Sequence, residues 1–459
     1  MPPAMRQGGR LVVVGGVAAG MSAASKARRL RPDIEIVVLE KGRDVSYGAC
    51  SLPYYISGVV RDRSDLVAYT ADRFRSERRI DVRLSVEATA LDPRARRVDC
   101  VDRATGCETS LEYDALVLAT GASAVVPPIP GADLPGVFAL RTLDDGDRII
   151  EYLDGDSVSS ATIVGGGYIG LEMAESLAAR GLAVTVIELL PDVLSTYDPD
   201  MSRIVREELL ARDVVLRTGT KVEALEPGDG SAVGYVVAAG QRLRTDMVLL
   251  SVGVRPETRL ATAAGIALGK TGAIAVDAWQ ATDAPFVFAA GDCSEARHTV
   301  TRRPVWIPLG TTANKQGRVA GENAIGGRRR FPGVAGTNAT KIFSLEAAQT
   351  GLSSRGANEE GFDHDSVSIT ALTRSGSYPG SRKLRVKLIF EKGEGRLLGA
   401  QMIGREGAAK RIDAVAVALS GGMSVRDLAS VDMSYAPPFA PVWDPVLVAA
   451  NRAVAKLES

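Results

Sequence analysis

The sequence predicts an α/β chain with two βαβ units built alike and a third region of α+β character. Two segments carry the first part of that prediction. Arg10 to Glu40 reads RLVVVGGVAAGMSAASKARRLRPDIEIVVLE, and Ala161 to Glu188 reads ATIVGGGYIGLEMAESLAARGLAVTVIE. Each is an apolar β-rich run, a glycine-dense turn, an Ala-rich helical stretch, a second apolar run and a closing Glu. That is a βαβ unit twice, about 150 residues apart, and the lack of a third copy excludes a repeat array. Glycine reinforces the point, with 48 residues in 459 against a usual share of ~7%.

The remaining elements follow in chain order. Tyr113 to Gly121 (YDALVLATG) reads as a strand ending at glycine, and the Pro-rich Val125 to Gly131 marks the exit from the first unit. Asp246 to Pro256 (DMVLLSVGVRP) has the same form and marks the exit from the second. Ala284 to Asp292 (APFVFAAGD) is a further strand whose tip presents an acid, so the chain is expected to return to the first unit. Beyond the Gly-rich stretch 326–336, Lys383 to Phe390 (KLRVKLIF) alternates at period 2, which predicts a strand with one solvated face. Leu397 to Ile403 is a second strand, with Ile412 to Leu419 helical behind it. Pro437, Pro438, Pro441 and Pro445 predict an extended rather than helical segment after Tyr435.

Composition removes whole classes of function. Fifty-five basic residues balance 55 acidic ones, which gives no support for a nucleic-acid partner. No apolar run reaches the length of a membrane span. The polar stretch Met1 to Gly9 lacks the apolar core of a secretory signal, so a cytoplasmic location is expected. The four cysteines (Cys50, Cys100, Cys107, Cys293) have no partner at metal-ligand or CxxC spacing, so no metal site and no disulfide framework are expected.

The glycine turns point to a dinucleotide. A pyrophosphate approaches the backbone at a helix N-terminus, where free N–H groups and the helix dipole favour negative charge. Any Cβ there blocks the approach. The second unit has the full pattern, Gly165-x-Gly167-x-x-Gly170, and Glu188 closes its strand where an acid can hold a ribose 2′-OH. An acid repels a 2′-phosphate and no arginine follows at once, which favours NADH, with NADPH the other candidate. The first unit has Gly15, Gly16 and Gly20, but Val17 replaces the middle glycine; Glu40 closes the strand. Glycine turns also serve plain helix–strand packing, but here strand, helix, acid and a second copy agree. Two dinucleotide sites in one chain mean, most simply, a flavin and a nicotinamide. Asp292 would then hold a flavin ribityl hydroxyl.

Cys50 lies in DVSYGACSLPYYISG, three residues before Pro53, and proline is at home in the first turn of a helix. That predicts a cysteine at a helix N-terminus, where the dipole favours thiolate. The competing reading is a small buried hydrophobe. Cys100, Cys107 and Cys293 have no such setting and are expected to be structural.

Taken together, VVVGGVAAGMSAA, VSYGACSLPYY, LVLATGA, VGGGYIGLE, VGVRP, VFAAGD, NKQGRVAG and YAPPFAPVWDPV resemble the flavin-dependent pyridine nucleotide–disulfide oxidoreductases. The similarity is to the single-cysteine branch with coenzyme A-disulfide reductase and its persulfide or polysulfide reductase relatives, and it runs from Leu11 to Asn451. It implies two Rossmann-like domains, one inserted in the other, and a C-terminal α+β dimerisation domain. The corresponding boundaries are 8–122 and 257–331 for the two parts of the FAD domain, 123–256 for the NAD(P)H domain and 332–459 for dimerisation. A homodimer is implied.

The resemblance also assigns roles. Cys50 falls at the redox cysteine, and where dithiol relatives carry a second cysteine this chain has Val45 and Tyr55. A mixed disulfide between Cys50 and a small thiol is therefore implied. The proton donors match Tyr378 and Tyr435, each reaching the partner protomer's site. FAD positions match Gly15, Gly16, Ala19, Gly20, Glu40, Lys41, Val86, Thr120, Gly121, Gly291 and Asp292. Nicotinamide positions match Gly165, Gly167, Tyr168, Ile169, Gly170, Glu188 and Gly253. For coenzyme A, Ser22, Lys26 and Arg29 share one helix face, and Ser46, Asn314 and Trp443 match other lining positions. Ser51, and Arg374 to Ser377 before the YPG, depart from the usual family residues beside the thiol pocket. Ala18 stands where flavin peroxidases carry histidine.

The implied activity is NAD(P)H-dependent reduction of coenzyme A disulfide or another small disulfide or persulfide. The alternatives are an NADH oxidase or peroxidase cycling through a sulfenic acid, a non-catalytic NADH-reducible flavoprotein sensor, and electron transfer to a ferredoxin-like protein.

Overall fold

A computed structural model describes residues 5–155 and 158–459. Two parallel five-stranded sheets are built on the same plan. In the first, the order is Val287–Ala289, Ala115–Leu118, Arg10–Val14, Glu35–Glu40, Asp81–Leu84. In the second it is Val215–Arg217, Ala183–Ile187, Ser160–Val164, Met247–Leu250, Val137–Ala139. Leu11, Val12 and Val13 are all fully buried, as are Ile163 and Val248. Burial on both faces is why these strands read as continuous apolar runs instead of alternating. Each glycine turn follows a central strand, with neighbours on both sides. That is the crevice where open parallel sheets bind ligands.

A three-stranded antiparallel sheet accompanies each parallel one: Val86–Asp92, Arg97–Asp102 and Glu108–Glu112 in the first unit, Val222–Pro227, Val233–Ala238 and Gln241–Arg244 in the second. The expected strand over 246–256 is broken in two. Gly253 takes φ +108°, so Met247–Leu250 stays in the second sheet while Val254–Pro256 pairs antiparallel with Ala122–Ala124. Both crossings between the units thus run side by side. Val287–Ala289 then rejoins the first sheet against Ala115–Leu118.

The first glycine-turn helix, Ala18–Leu30, packs backbone to backbone on the helix Gly310–Ala324. A Cβ on Gly317 would lie 2.2 Å from the Ala19 carbonyl oxygen, and one on Gly321 2.2 Å from that of Ala23. Glycine is the residue that admits this approach.

The C-terminal region is a five-stranded antiparallel sheet in the order Asn338–Ile342, Leu345–Gly351, Leu397–Gly404, Lys383–Glu391, His364–Leu372, with helices Ala408–Gly421 and Pro445–Leu457. Two expectations need correction here. Lys383–Glu391 alternates only at its start, where Lys383 is exposed and Arg385 partly so; Val386 to Phe390 are all buried, including Lys387. The Lys387 ammonium reaches Asp198 at 3.0 Å and Asp200 at 2.7 Å, so the second unit covers this side of the sheet and supplies the counter-charges a buried cation needs. The segment after Tyr435 is non-helical only as far as Asp444. Asp444 caps the Val446 N–H at 2.9 Å and Pro445 opens the last helix, a position where its missing N–H costs nothing.

Candidate active site

The two glycine turns are superimposable in their chemistry. Gly15 and Gly165 take φ +105° and +111°, and a Cβ on either would sit 2.1 or 2.2 Å from a carbonyl oxygen of the adjacent strand end, Ala119 or Ser251. Gly16 N–H donates to Glu40 at 2.7 Å, and Gly166 N–H donates to Glu188 at 2.6 Å. The second oxygen of each acid accepts another backbone N–H, Gly42 at 2.7 Å and Leu190 at 2.8 Å. The closing acids therefore help to build the turns themselves. The helices Ala18–Leu30 and Tyr168–Ala179 begin without a side-chain cap. Their first N–H groups are left to an incoming anion.

The Val17 departure has a simple account. Val17 has φ −99° and Gly167 φ −81°, so neither position demands glycine for its torsion. A Cβ at Gly167 meets no protein atom within 4 Å. What glycine provides there is clearance in front of the turn.

The other predicted flavin positions gather at the same end of the first sheet. Ala19 and Gly20 are buried on the first helix, and Gly121 and Gly291 take φ +74° and +84° just beyond their strands. Gly291 N–H donates to Gln316 at 3.0 Å, and Thr120 Oγ1 donates to the Glu257 carbonyl at 2.6 Å. Lys41 is exposed and Val86 opens the first antiparallel sheet. Asp292 is already ion-paired, at 2.6 Å, to Arg141 from the second unit. Its carbonyl accepts Trp306 Nε1–H at 2.7 Å. In the second unit Gly170 is buried under its helix, Ile169 is exposed, and Gly253 stands at the crossing.

Cys50 is a free, exposed cysteine just before a helix start with Pro53 in its first turn, as the sequence predicts. It occupies a 3₁₀ turn, Ala49–Ser51, and the following helix, Leu52–Ile56, is only five residues long. So short a helix offers little dipole. Crowding by protein atoms pushes the Cys50 thiol up, the Glu172 carboxylate adds to this, Arg141 opposes it and Asp292 again raises it. These surroundings push toward the thiol, against the expected thiolate bias. Tyr54, one turn on, is pushed up to about 12 by burial and then by Glu172 and Glu175, so it is a neutral phenol. Of the other cysteines, Cys100 and Cys293 are buried as expected, while Cys107 is exposed on a hairpin of the first antiparallel sheet.

The predicted coenzyme A positions fall into two groups. Ser22 Oγ donates to Asn314 Oδ1 at 2.6 Å, which joins two of them across the helix pair. Lys26 pairs with Glu322 at 3.1 Å and Arg29 Nε bonds the Ser25 carbonyl, so both already have protein partners. Ser46 has φ +52°, and its N–H donates to Gly16 at 2.9 Å, tying the Cys50 segment to the first turn. Tyr378, Tyr435 and Trp443 lie elsewhere, on exposed loops of the C-terminal region.

Sequence reasoning missed Arg141 and Glu172. Glu172 ends the VGGGYIGLE stretch and was visible as an acid four residues along the helix from Tyr168. It accepts Thr340 Oγ1–H at 2.7 Å. Arg141 has no local signal.

Comparison with known proteins agrees with this geometry. The pyridine nucleotide-disulphide oxidoreductase family pattern matches residues 9–317, and the dimerisation domain of the same family matches 337–445. The chain belongs to the pyridine nucleotide-disulphide oxidoreductase family. It is 40% identical over 443 residues to the NAD(P)H sulfur oxidoreductase (CoA-dependent) of Pyrococcus furiosus, covering 96% of this chain and 98% of that one. It is 37% identical over 451 residues to a protein of Methanocaldococcus jannaschii named NADH oxidase, covering 98% and 100%. Coenzyme A disulfide reductase of Staphylococcus haemolyticus is 31% identical over 433 residues, covering 94% and 96%. Among solved structures, reduced Bacillus anthracis CoADR-RHD superposes with a TM-score of 0.96 at 36% identity, covering 99% of this chain and 81% of that one. The NAD-dependent persulfide reductase from A. fulgidus gives 0.95 at 39%, covering 98% and 83%. No helix among the described residues is long and apolar enough to cross a membrane.

Proposed function

We propose that this chain uses NADH to reduce coenzyme A disulfide, or a related small disulfide or persulfide, through FAD and Cys50, as a cytoplasmic homodimer. The observation that carries the reading is an exposed free Cys50 without a partner cysteine, set where the two nucleotide units meet at Arg141 and Asp292. The names of the relatives agree with it. The uncapped helix starts and the Cβ-free turns fit two dinucleotides.

FAD, held at the first turn, supplies a two-electron path from nicotinamide at the second turn to the sulfur of Cys50. The chain's own part is thiol chemistry. Two electrons entering a Cys50–S–S–R bond release RS⁻ and leave Cys50 as thiolate. The Cys50 sulfur then attacks the next RSSR, forming Cys50–S–S–R and expelling the second RS⁻. Overall, NADH, H⁺ and RSSR become NAD⁺ and two RSH, and with a persulfide the products are RSH and hydrogen sulfide. A raised Cys50 thiol means a smaller thiolate fraction, but a thiolate that is the more nucleophilic. Tyr378 and Tyr435, from the partner protomer, are the proposed donors to the leaving sulfur. Ser22, Lys26, Arg29, Ser46, Asn314 and Trp443 are proposed to line the thiol carrier's path.

The test is Cys50→Ser in the FAD-loaded enzyme. Turnover with coenzyme A disulfide is expected to vanish while NADH-dependent ferricyanide reduction persists. Disulfide turnover at the normal rate would end the proposal. The relative named NADH oxidase favours a second reading, in which Cys50 cycles through sulfenic acid; oxygen consumption exceeding disulfide turnover would select it.

A further inference from the structure

We infer that Arg63 is a positioning residue for Cys50: it locks the base of the arch carrying the cysteine to the second nucleotide unit. This rests on the reading above, since it concerns the step that Cys50 performs.

The arch runs from Asp44 to Leu66, and Cys50 lies two residues beyond Gly48, whose N–H bonds the Leu66 carbonyl. Its base is closed by a bidentate pair, Arg63 Nη1 to Asp44 Oδ1 at 3.0 Å and Nη2 to Asp44 Oδ2 at 2.6 Å. The remaining Arg63 donor, Nε, reaches Asp147 at 2.8 Å, on the helix Leu143–Gly155 that opens the second unit. Tyr55 from inside the arch donates to the other oxygen of Asp147 at 3.2 Å. Arg43, just before the arch, pairs with Asp144 at 2.6 Å, and Arg63 lies 3.6 Å from the same carboxylate.

Backbone bonds complete the brace. Gly48 N–H donates to the Leu66 carbonyl and Ala68 N–H to that of Ser46, each at 2.9 Å. Beneath the charges, Leu52, Ile56 and Leu66 share one buried cluster with Leu143 and Ile149. A Cβ on Gly146 would approach Leu52 at 3.2 Å, so the contact is close.

Exposed ion pairs generally contribute little, but a bidentate arginine in a network is the exception. Arg63 is one-third exposed and Asp44 less so. Only a guanidinium engages one carboxylate with both Nη atoms while Nε holds a second; an ammonium is a point charge without that fork. The consequence is mechanical. The helix that Arg63 grips starts two residues after Arg141, which pairs with Asp292 at the flavin end of the first sheet. The cysteine arch, the second unit and the sheet end are thereby held in one frame.

The experiment compares Arg63→Lys and Asp44→Asn with the native FAD enzyme. Each is assayed with NADH against coenzyme A disulfide and against ferricyanide, which draws on the flavin without Cys50. We expect kcat with the disulfide to fall by about tenfold or more, towards the ~100-fold that a misplacement of ~1 Å can cost. The KM for NADH and the ferricyanide rate are expected to hold, and lysine is expected not to rescue. Native disulfide kcat in the variants overturns the inference, and so does an equal loss of both activities, which would mark a general loss of fold. Should Arg63→Lys fail to retain FAD, Asp44→Asn decides alone. Disulfide turnover by Cys50→Ser would instead sink the underlying reading.

Discussion

Glu188 accepts the Gly166 N–H at 2.6 Å, so the acid proposed to hold the ribose in the second unit also shapes the turn proposed to take the pyrophosphate. The first unit repeats the bond between Glu40 and Gly16 at 2.7 Å. In each unit one side chain would thus link the proposed ribose contact to the shape of the turn. Glu188→Ala is expected to raise the KM for NADH by about tenfold, the weight of one charge-assisted hydrogen bond. The same change removes the repulsion against a 2′-phosphate, so the NADH-to-NADPH preference should narrow. Steady-state kinetics with both nucleotides checks it; an unchanged KM for NADH would refute the assignment.

Gly321 lies where a Cβ would sit 2.2 Å from the Ala23 carbonyl oxygen, a backbone atom that cannot turn aside. Gly321→Ala gains helix propensity but forces apart the helices Ala18–Leu30 and Gly310–Ala324. The net result should be destabilisation of about 1–3 kcal/mol. A urea melt would show a lower midpoint with an unchanged slope.

Glu172 is the second influence, after burial, that pushes the Cys50 thiol up. Glu172→Gln removes the charge and keeps an acceptor for Thr340. The pH midpoint for iodoacetamide reaction of Cys50 in the reduced enzyme should then move down. Arg141→Ala should move it up, because Arg141 favours the thiolate. A midpoint indifferent to both would mean that burial alone governs the sulfur.

His298 is buried, and its Nδ1 accepts the N–H groups of Val300 and Thr301, each at 3.3 Å. Burial lowers its pKa from 6.5 to about 4. The folded chain holds the imidazole neutral, while the unfolded chain protonates it below about 6.5. Its contribution is intact above that pH and is lost progressively as pH falls toward 4, on the order of 3 kcal/mol in all. His298→Asn, which keeps an acceptor in place of Nδ1, should flatten the pH dependence of urea stability between 4 and 6.5. An unaltered slope would show that other groups carry it.

The two βαβ units were legible because their signals are local. A run of β-branched residues, a glycine at positive φ and an acid closing the next strand all sit within about thirty residues, and Val14, Gly15, Gly20 and Glu40 carry them without help from elsewhere. The antiparallel region was legible as strands and helix. Its environment was not: Lys387 reads as a solvated position by alternation, yet the second unit covers it with Asp198 and Asp200. The Cys50 segment shows the same division, since Pro53 announces a helix start but nothing local tells that the helix stops after five residues.

The sequence alone determined the fold class, the turns that await two dinucleotides and the cysteine that stands without a partner, because torsional preference and apolar periodicity are written residue by residue. Only the tertiary structure decided how that cysteine is held and charged. Arg63 meets Asp147 across 84 residues, and Arg141 meets Asp292 across 151. Pairings at such separations depend on how whole sheets and helices dock, and no local pattern encodes which distant charges will meet.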